Sequence, residues 1–299
     1  MGNGAGDDDG CTERSIKRVV TIKQKIELYN DSFQNFKGYN IPKAQLVIAD
    51  VPFNLGTAFY ASNPMWWKDG DRHNGPTEKA GKAAFYSDFN FNLNEYWHFC
   101  NRLLKPEPKE TGEAPCMIVF CSFQQIPLLI EAAAKYGFKN YIHLSFIKNY
   151  SPQVLKANMR ICGATEHAML FYRDKLPKFN NHGRMVFDWM EWKRDGKNIP
   201  KIHPAQKPVA VLKTLIELFT DPGEVVIDPC AGSGSTLRAA LETGRSAYGF
   251  EISRDFCKRA KEEMLNVPRQ QSLLYTVDDN KRWKTAAEDA QGTLFDLEG

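Results

Sequence analysis

The chain of 299 residues lacks most of the features that tie a protein to a special environment. Its seven cysteines are scattered and odd in number, and none forms a C-x-x-C pair. That pattern argues against a disulfide framework or a zinc knuckle, and favours a reducing compartment. No metal site is expected. There is no long uncharged apolar run, so no membrane span is expected. The opening MGNGAGDDDG is acidic and glycine-rich, without the basic-then-apolar layout of a secretory signal. The charge is nearly balanced, 39 Lys and Arg against 36 Asp and Glu. Composition alone therefore neither demands nor forbids a nucleic-acid partner, and the expectation is a cytoplasmic protein.

What is present is an alternation of short β-branched runs with helical patterns, the signature of α/β units around a parallel sheet. Residues 1–24 are polar and aperiodic and read as a disordered lead-in. Strands are expected at Lys25–Tyr29, Gln45–Asp50, Cys116–Cys121, Asn140–Phe146, Ala168–Tyr172, Glu224–Asp228 and Ala247–Phe250. Helices are expected at Leu93–Leu104, Gln125–Tyr136, Pro208–Phe219, Ser235–Glu242 and Ser253–Leu265. The expected fold is a single Rossmann-like domain over 25–283, with a seven-stranded, mostly parallel sheet and helices on both faces. Two segments break the rhythm. Residues 57–88 form a long aperiodic stretch, the kind of loop that is usually functional or mobile. Residues 175–202 are basic and aromatic. From about residue 284 the chain turns polar again and reads as a flexible tail.

The sharpest local signal is EVVIDPCAGSGSTLRAALETG. A hydrophobic strand ends at Asp228, a tight turn carries Gly232 and Gly234, and a helix begins at Ser235. Such a loop can bring backbone close to a ligand. It has neither the third glycine of a dinucleotide fingerprint nor the Gly-Lys-Ser/Thr of a P-loop. Asp228 would repel a pyrophosphate but suit an ammonium. The next strand ends in Glu251, where an acidic side chain can hold ribose hydroxyls. A plain structural turn remains the alternative for a lone G-x-G. With Asp228 before the loop and Glu251 after the following strand, the pattern describes S-adenosylmethionine better.

A second signal is AQLVIADVPFNLG. A buried strand delivers Asp50 to its carboxyl end, where ligands of open α/β sheets bind. Pro52 fixes its own φ and biases Val51 toward an extended geometry. Phe53 sets a flat ring beside the carboxylate. Alone this could be an Asx turn with a core Phe. Paired with the glycine loop, it is an acceptor and stacking platform for an extruded base bearing an amino group.

Together these motifs resemble the β-type DNA amino-methyltransferases of restriction–modification and phage systems, in which Asp-Pro-Pro-Tyr precedes the cofactor loop. Asp50-Val51-Pro52-Phe53 matches that hallmark. Asp228-Pro229-Cys230-Ala231-Gly232-Ser233-Gly234 matches Asp-Pro-Phe-Ala-Gly-Ser-Gly. His203-Pro204-Ala205-Gln206-Lys207-Pro208 resembles His-Pro-Thr-Gln-Lys-Pro, Tyr29-Asn30-Asp31 the opening Gly-Asp, and Thr165-Glu166-His167-Ala168 a His-Glu-type strand. The resemblance runs from about residue 25 to about residue 268. It implies methyl transfer from S-adenosylmethionine to an exocyclic base amine in double-stranded DNA, in a bacterial or phage-infected cell. Asp50, Val51, Pro52 and Phe53 would be catalytic. Asp228, Pro229, Cys230, Ala231, Gly232, Gly234 and Glu251 would bind the cofactor, with Asp31 near its adenine and Lys207 near its carboxylate. The cytosine-N4 subgroup usually carries Ser where Asp50 stands, which favours adenine N6. Two residues depart from the pattern: Val51 replaces the first proline, giving a less rigid turn, and Cys230 replaces a Phe.

Within 175–202, Lys178, Arg184, Trp189, Trp192, Lys193 and Arg194 are the candidate DNA contacts, since basic residues neutralise phosphates and aromatics can fill the gap left by a flipped base. Trp66, Trp67, Lys68, Arg72 and His73 of the first long loop could also close over DNA. The tail, from Gln291 to Phe295, resembles a sliding-clamp peptide, although such short motifs also arise by chance. Three other readings stay open: cytosine-N4 methylation, an RNA or protein-glutamine methyltransferase, and a catalytically weak DNA-binding relative. The usual motif order of the second class, cofactor loop first, is reversed here.

Overall fold

The computed structural model describes residues 18–52, 91–149, 153–156, 161–203, 205–267, 273–277 and 283–285. The chain divides into two units, Gln24–Arg269 and a smaller one made of Met1–Lys23 with Gln270–Gly299. In chain order the strands are β1 (Arg18–Ile22), β2 (Ile26–Tyr29), β3 (Leu46–Asp50), β4 (Cys116–Cys121), β5 (Asn140–Lys148), β6 (Gln153–Lys156) and β7 (Ile161–Gly163). They continue with β8 (Thr165–Tyr172), β9 (Trp189–Trp192), β10 (Val225–Asp228), β11 (Ser246–Phe250), β12 (Leu273–Val277) and β13 (Trp283–Thr285). The α-helices are α1 (Leu93–Leu103), α2 (Ile126–Lys135), α3 (Val209–Phe219), α4 (Ser235–Glu242) and α5 (Arg254–Arg259), the last running into a π turn at Ala260–Met264.

The larger unit is built on one eight-stranded sheet in the order β2-β11-β10-β3-β4-β8-β5-β9. All neighbours pair in parallel except those flanking β8, which runs against the rest. From β3 the chain proceeds to β4 on one side, while β10 and β11 lie on the other. The strand order therefore switches between β3 and β10, the place where open α/β sheets bind ligands. Register lines up the strand ends there: Asp50 lies opposite Phe120, Asp228 opposite Gly249, and Phe250 opposite Tyr29.

Alternation along the strands divides the core into two faces. Leu46, Ile48, Ile118, Phe120, Ala168 and Leu170 pack with α3, α4 and α5. Val47, Ala49, Met117, Val119, Met169 and Phe171 pack with α1 and α2. Every residue of β4 is buried, as expected for a strand covered on both faces. Six apolar residues of α3 are buried, so packing rather than intrinsic propensity holds that helix. Asn92 caps α1 by accepting from the Asn94 and Glu95 amides, and Ser253 caps α5 by accepting from Phe256.

All seven expected strands and all five expected helices occur within a few residues of their expected bounds. The sheet has one strand more, because β9 arises inside the basic segment. Its four residues, Trp-Met-Glu-Trp, are too short and too mixed for periodicity to isolate. The supposed lead-in also contains a strand. Arg18–Ile22 pairs antiparallel with β12, and β12 with β13, to form the sheet of the smaller unit. The partner β12 lies more than 250 residues away in the sequence, so a local reading could not supply it. The expected loop at 57–88 and the Gln291–Phe295 peptide lie outside the described residues. No described helix is long and apolar enough to cross a membrane.

Lys178 was expected to meet DNA, but its side chain is only 9% exposed. Its ammonium lies 2.6 Å from Asp221, 3.1 Å from Glu113 and 3.3 Å from Glu224. Burial opposes the charge, yet these carboxylates more than offset it and hold the Lys178 pKa above its ordinary value. The residue ties its own segment and Glu113, just before β4, to the turn between α3 and β10, and these carboxylates take up its charge. Removing it leaves the three carboxylates facing one another. Lys178→Met should therefore destabilise the protein by about 3 kcal/mol, read as a lower urea midpoint at unchanged slope. A loss below about 0.5 kcal/mol, the range of ordinary surface substitutions, would show that the cluster is not stabilising.

Candidate active site

On the β10–β11 side, Asp228 is almost fully buried. Its Oδ1 accepts from the Cys230 amide at 2.9 Å, and the Thr236 hydroxyl also donates to it. Burial pushes its pKa up to about 7. Those two donors pull against the shift, and the neighbouring Asp50 and Glu251 carboxylates add to it. Glu251 spans the loop. One oxygen accepts from the Gly232 amide at 2.8 Å and the other from Ser253 at 2.7 Å. Burial raises its pKa as well. The Ala231 amide donates to the Phe250 carbonyl at 2.9 Å, stitching the loop to β11. Asn30 donates to the Glu251 carbonyl at 2.9 Å and ties in the end of β2.

The glycines of the loop do different work. Gly232 and Gly234 have φ of 50° and 77°, in the left-handed region that favours glycine. A Cβ on Gly232 would meet nothing nearer than the Cys230 carbonyl at 4.0 Å, so that side of the loop is bare. A Cβ on Gly234 would press on the Ala260 Cβ at 3.3 Å. Gly234 thus serves packing, whereas Gly232 leaves backbone open. Gly249 on β11 was not expected to matter, yet a Cβ there would lie 2.8 Å from Leu237 Cδ1 and 3.1 Å from Ala231 Cβ.

Asp31 is drawn into local structure. It accepts from the Ser32 amide and the Asn35 side chain, both at 2.7 Å, and from the Tyr39 hydroxyl at 2.8 Å. These bonds hold the Tyr39 ring 4.2 Å from Tyr29 and 5.5 Å from Phe250.

On the β3–β4 side, Asp50 meets Lys207, whose Nζ lies 2.5 Å from Oδ2. The Lys207 side chain is 10% exposed, and its ammonium sits 5.4 Å from the Phe120 ring centroid and 5.8 Å from that of Trp192. Beside it Lys148 pairs with Glu166, and its ammonium lies over the Trp192 ring, 5.3 Å from the centroid. Sequence reading missed this network. One signal was available: Glu166 shares a strand face with the apolar Ala168 and Leu170.

The turn after Asp50 is held twice. The Val51 amide donates to the Phe120 carbonyl at 3.3 Å, a bond that proline cannot make. Gln125 donates to the Pro52 carbonyl at 2.9 Å while accepting from the Ser122 amide at 3.0 Å. Phe53 lies outside the described residues. In the basic segment Arg184, Trp189, Lys193 and Arg194 are exposed, and Trp189 stacks on Phe187 at 5.8 Å and 21°. Trp192 is buried against Phe120 and Phe146, which removes it from the candidate DNA surface. Among the described residues no group of His, Cys, Asp and Glu is arranged to hold a metal ion.

Two acidic strand ends at a topological switch point, joined to an Asp-Val-Pro turn, match one family in particular. A model of N6/N4 DNA methylases covers residues 44–262. The chain belongs to that DNA methylase family. It is 24% identical over 254 residues to the DNA adenine methyltransferase YhdJ of Escherichia coli strain K12, covering 78% of this chain and 80% of YhdJ. Among solved structures, the complex of M1.HpyAVI with S-adenosylmethionine is 20% identical at a TM-score of 0.55, covering 80% of this chain and all of that one. The cytosine-N4-specific PvuII DNA methyltransferase is 16% identical at a TM-score of 0.57, covering 84% and 90%. At such identities the structural likeness is one of fold.

The tight seat of Gly249 can be tested directly. Gly249→Ala should cost about 1–3 kcal/mol by overpacking Leu237 and Ala231, read in thermal or urea unfolding. A fully stable variant would mean that the loop can retreat.

Proposed function

We propose that the chain transfers a methyl group from S-adenosylmethionine to the exocyclic amine of a base flipped out of double-stranded DNA, with adenine N6 as the target. The observation that carries this reading is the adjacency of Asp228 and Asp50 at the ends of the neighbouring strands β10 and β3. The donor half fits the cofactor. Asp228 is a buried carboxylate that a ligand ammonium would complete. Gly232 leaves bare backbone beside it. Each Glu251 oxygen makes one hydrogen bond to an amide and keeps acceptor capacity for a ribose hydroxyl. Asp31 acts through Tyr39, shaping the edge of this pocket. When bound, the cofactor supplies an electrophilic methyl group on a sulfonium.

The chain's own residues orient the acceptor. Asp50 and the Val51 carbonyl accept the amine hydrogens, and Phe53 stacks on the base. The bonds from Phe120 and Gln125 fix the turn, so geometry is set before the substrate arrives, which is where much of the rate originates. Positive charge that develops on the amine is stabilised by Asp50, which then takes or passes on the released proton. Arg184, Lys193 and Arg194 face the DNA backbone, with Phe187 and Trp189 as a stacking surface. Asp50 rather than Ser supports adenine, as does the likeness to YhdJ; cytosine N4 is the second reading.

Asp50→Ala should lower methyl transfer at least about a hundredfold while cofactor affinity, measured by calorimetry, stays near that of the parent. Labelling of DNA at the parental rate would remove Asp50 from the mechanism. Cofactor affinity should also depend on pH through Asp228. A carboxyl with a pKa of about 7 is largely protonated at lower pH, and an ammonium ligand prefers the ionised form. Affinity should rise from about pH 5.5 to about pH 7.5, approaching tenfold per unit on the acid side, and Asp228→Asn should flatten the curve. An unchanged slope in that variant would place the titrating group elsewhere.

A further inference from the structure

One buried ammonium serves several carboxylates at this site. Lys207 stands just before α3, with its Nζ 2.5 Å from Asp50 of β3. Glu166 of β8 and Asp228 of β10 act on the same charge. Glu166 in turn pairs with Lys148 of β5. Among the described residues, Cys121 of β4 and His203 of the loop before α3 also feel the Lys207 charge, with Glu251 and Cys230 beyond Asp228. The Phe120 and Trp192 rings lie against the ammonium and keep water from its flank. Two ammoniums thus pair with two carboxylates, Lys207 with Asp50 and Lys148 with Glu166, while the Asp228 charge acts on Lys207 without an ion pair.

This placement has a consequence for the acceptor reaction. A target amine needs the Asp50 oxygens, and Lys207 already holds one of them. An ammonium has three N–H donors, so it can exchange partners without losing all its bonds. We propose that Lys207 is a positioning residue for the transfer reaction: its ammonium holds the acceptor oxygen of Asp50 until a target amine takes its place, and Glu166 receives the ammonium as it leaves. The Asp50 carboxylate then never faces an apolar site alone, because one N–H donor replaces another. The net raised pKa of Lys207, despite burial, and the lowered pKa of Glu166, also despite burial, agree with two groups that keep opposite charges side by side.

The proposal rests on Asp50 being the acceptor, and the two can fail separately. The experiment uses the full chain, S-adenosylmethionine and a DNA duplex. Single-turnover methyl transfer is followed across pH, and the Asp50 carboxyl is titrated by carbon NMR with the resonance assigned through Asp50→Asn. Lys207→Met should lower the rate at neutral pH by about tenfold or more and move both the acid limb and the Asp50 midpoint up by about one unit, the tenfold equivalent. Lys207→Arg should keep both near the parental positions. Glu166→Gln should slow transfer while leaving the Asp50 midpoint in place, because Asp50 keeps its ammonium. Should Lys207→Met not fold, Lys207→Gln, neutral and similar in length, carries the same test. An acid limb and Asp50 midpoint unmoved in the neutral variant would overturn the role of Lys207. Full activity of Asp50→Ala would instead overturn the reading of the site itself.

Discussion

A carboxylate withdrawn from water loses several kcal/mol of hydration unless charges and hydrogen bonds replace it. At one end of the sheet Asp50, Asp228, Glu166 and Glu251 lie close together, and much of the surrounding structure answers that constraint. Asp50 takes the Lys207 ammonium and Glu166 takes Lys148. Glu251 takes two backbone amides. Asp228 has one amide and one hydroxyl, and its pKa rises to about 7. It is the least compensated of the four, and a cationic ligand would gain most beside it. The same bonds shape the loop, since the Gly232 amide that satisfies Glu251 sits where the backbone is bare. Electrostatic need and ligand geometry are met by the same contacts.

The sheet makes this arrangement possible. Parallel strands buried on both faces deliver their carboxyl ends to one edge, and the order reverses there between β3 and β10, the place where open α/β sheets bind ligands. Residues far apart in the chain become neighbours: Asp50 and Lys207 are 157 positions apart, and Gly232 and Glu251 are 19 apart. The first separation bears on how far a sequence can be read. The elements were legible because their signals are local: β-branched runs for β3, β4 and β10, an apolar stripe for α3, and glycines around the cofactor loop. The Asp50–Phe53 motif and Asp228 could be picked out for the same reason, since each sits within a few residues of its own turn.

What could not be read locally depends on partners. Lys178 and Trp192 looked like DNA-binding residues because basic and aromatic types cluster at 175–202. Three-dimensional neighbours decide otherwise, three carboxylates for Lys178 and the rings of Phe120 and Phe146 for Trp192. Arg184, Trp189, Lys193 and Arg194 come from the same segment and stay on the surface. β9 explains the split: alternation along a strand sends Trp189 outward and Trp192 toward the core. Lys207 shows the converse. Its motif was visible, but its ammonium turns to Asp50, a contact that no spacing in the sequence encodes.

Val51 stands where the methylase motif carries its first proline, in the turn that follows Asp50. A proline there would restrict the backbone by its ring and remove one amide. Valine restores the amide, and the structure uses it: the N–H extends the β3–β4 ladder by one bond to the Phe120 carbonyl. Gln125 then clamps the Pro52 carbonyl from the other side and is itself fixed by Ser122. Rigidity that the ring would have supplied by limiting the unfolded chain is supplied here by hydrogen bonds in the folded state. The two devices differ in how they fail. A ring constraint survives local loosening of β4, whereas the Val51 and Gln125 bonds both run to β4 or the turn that leaves it. The geometry of the Asp50–Pro52 turn is therefore tied to the integrity of Phe120–Gln125, the same stretch that supplies an aromatic face to Lys207.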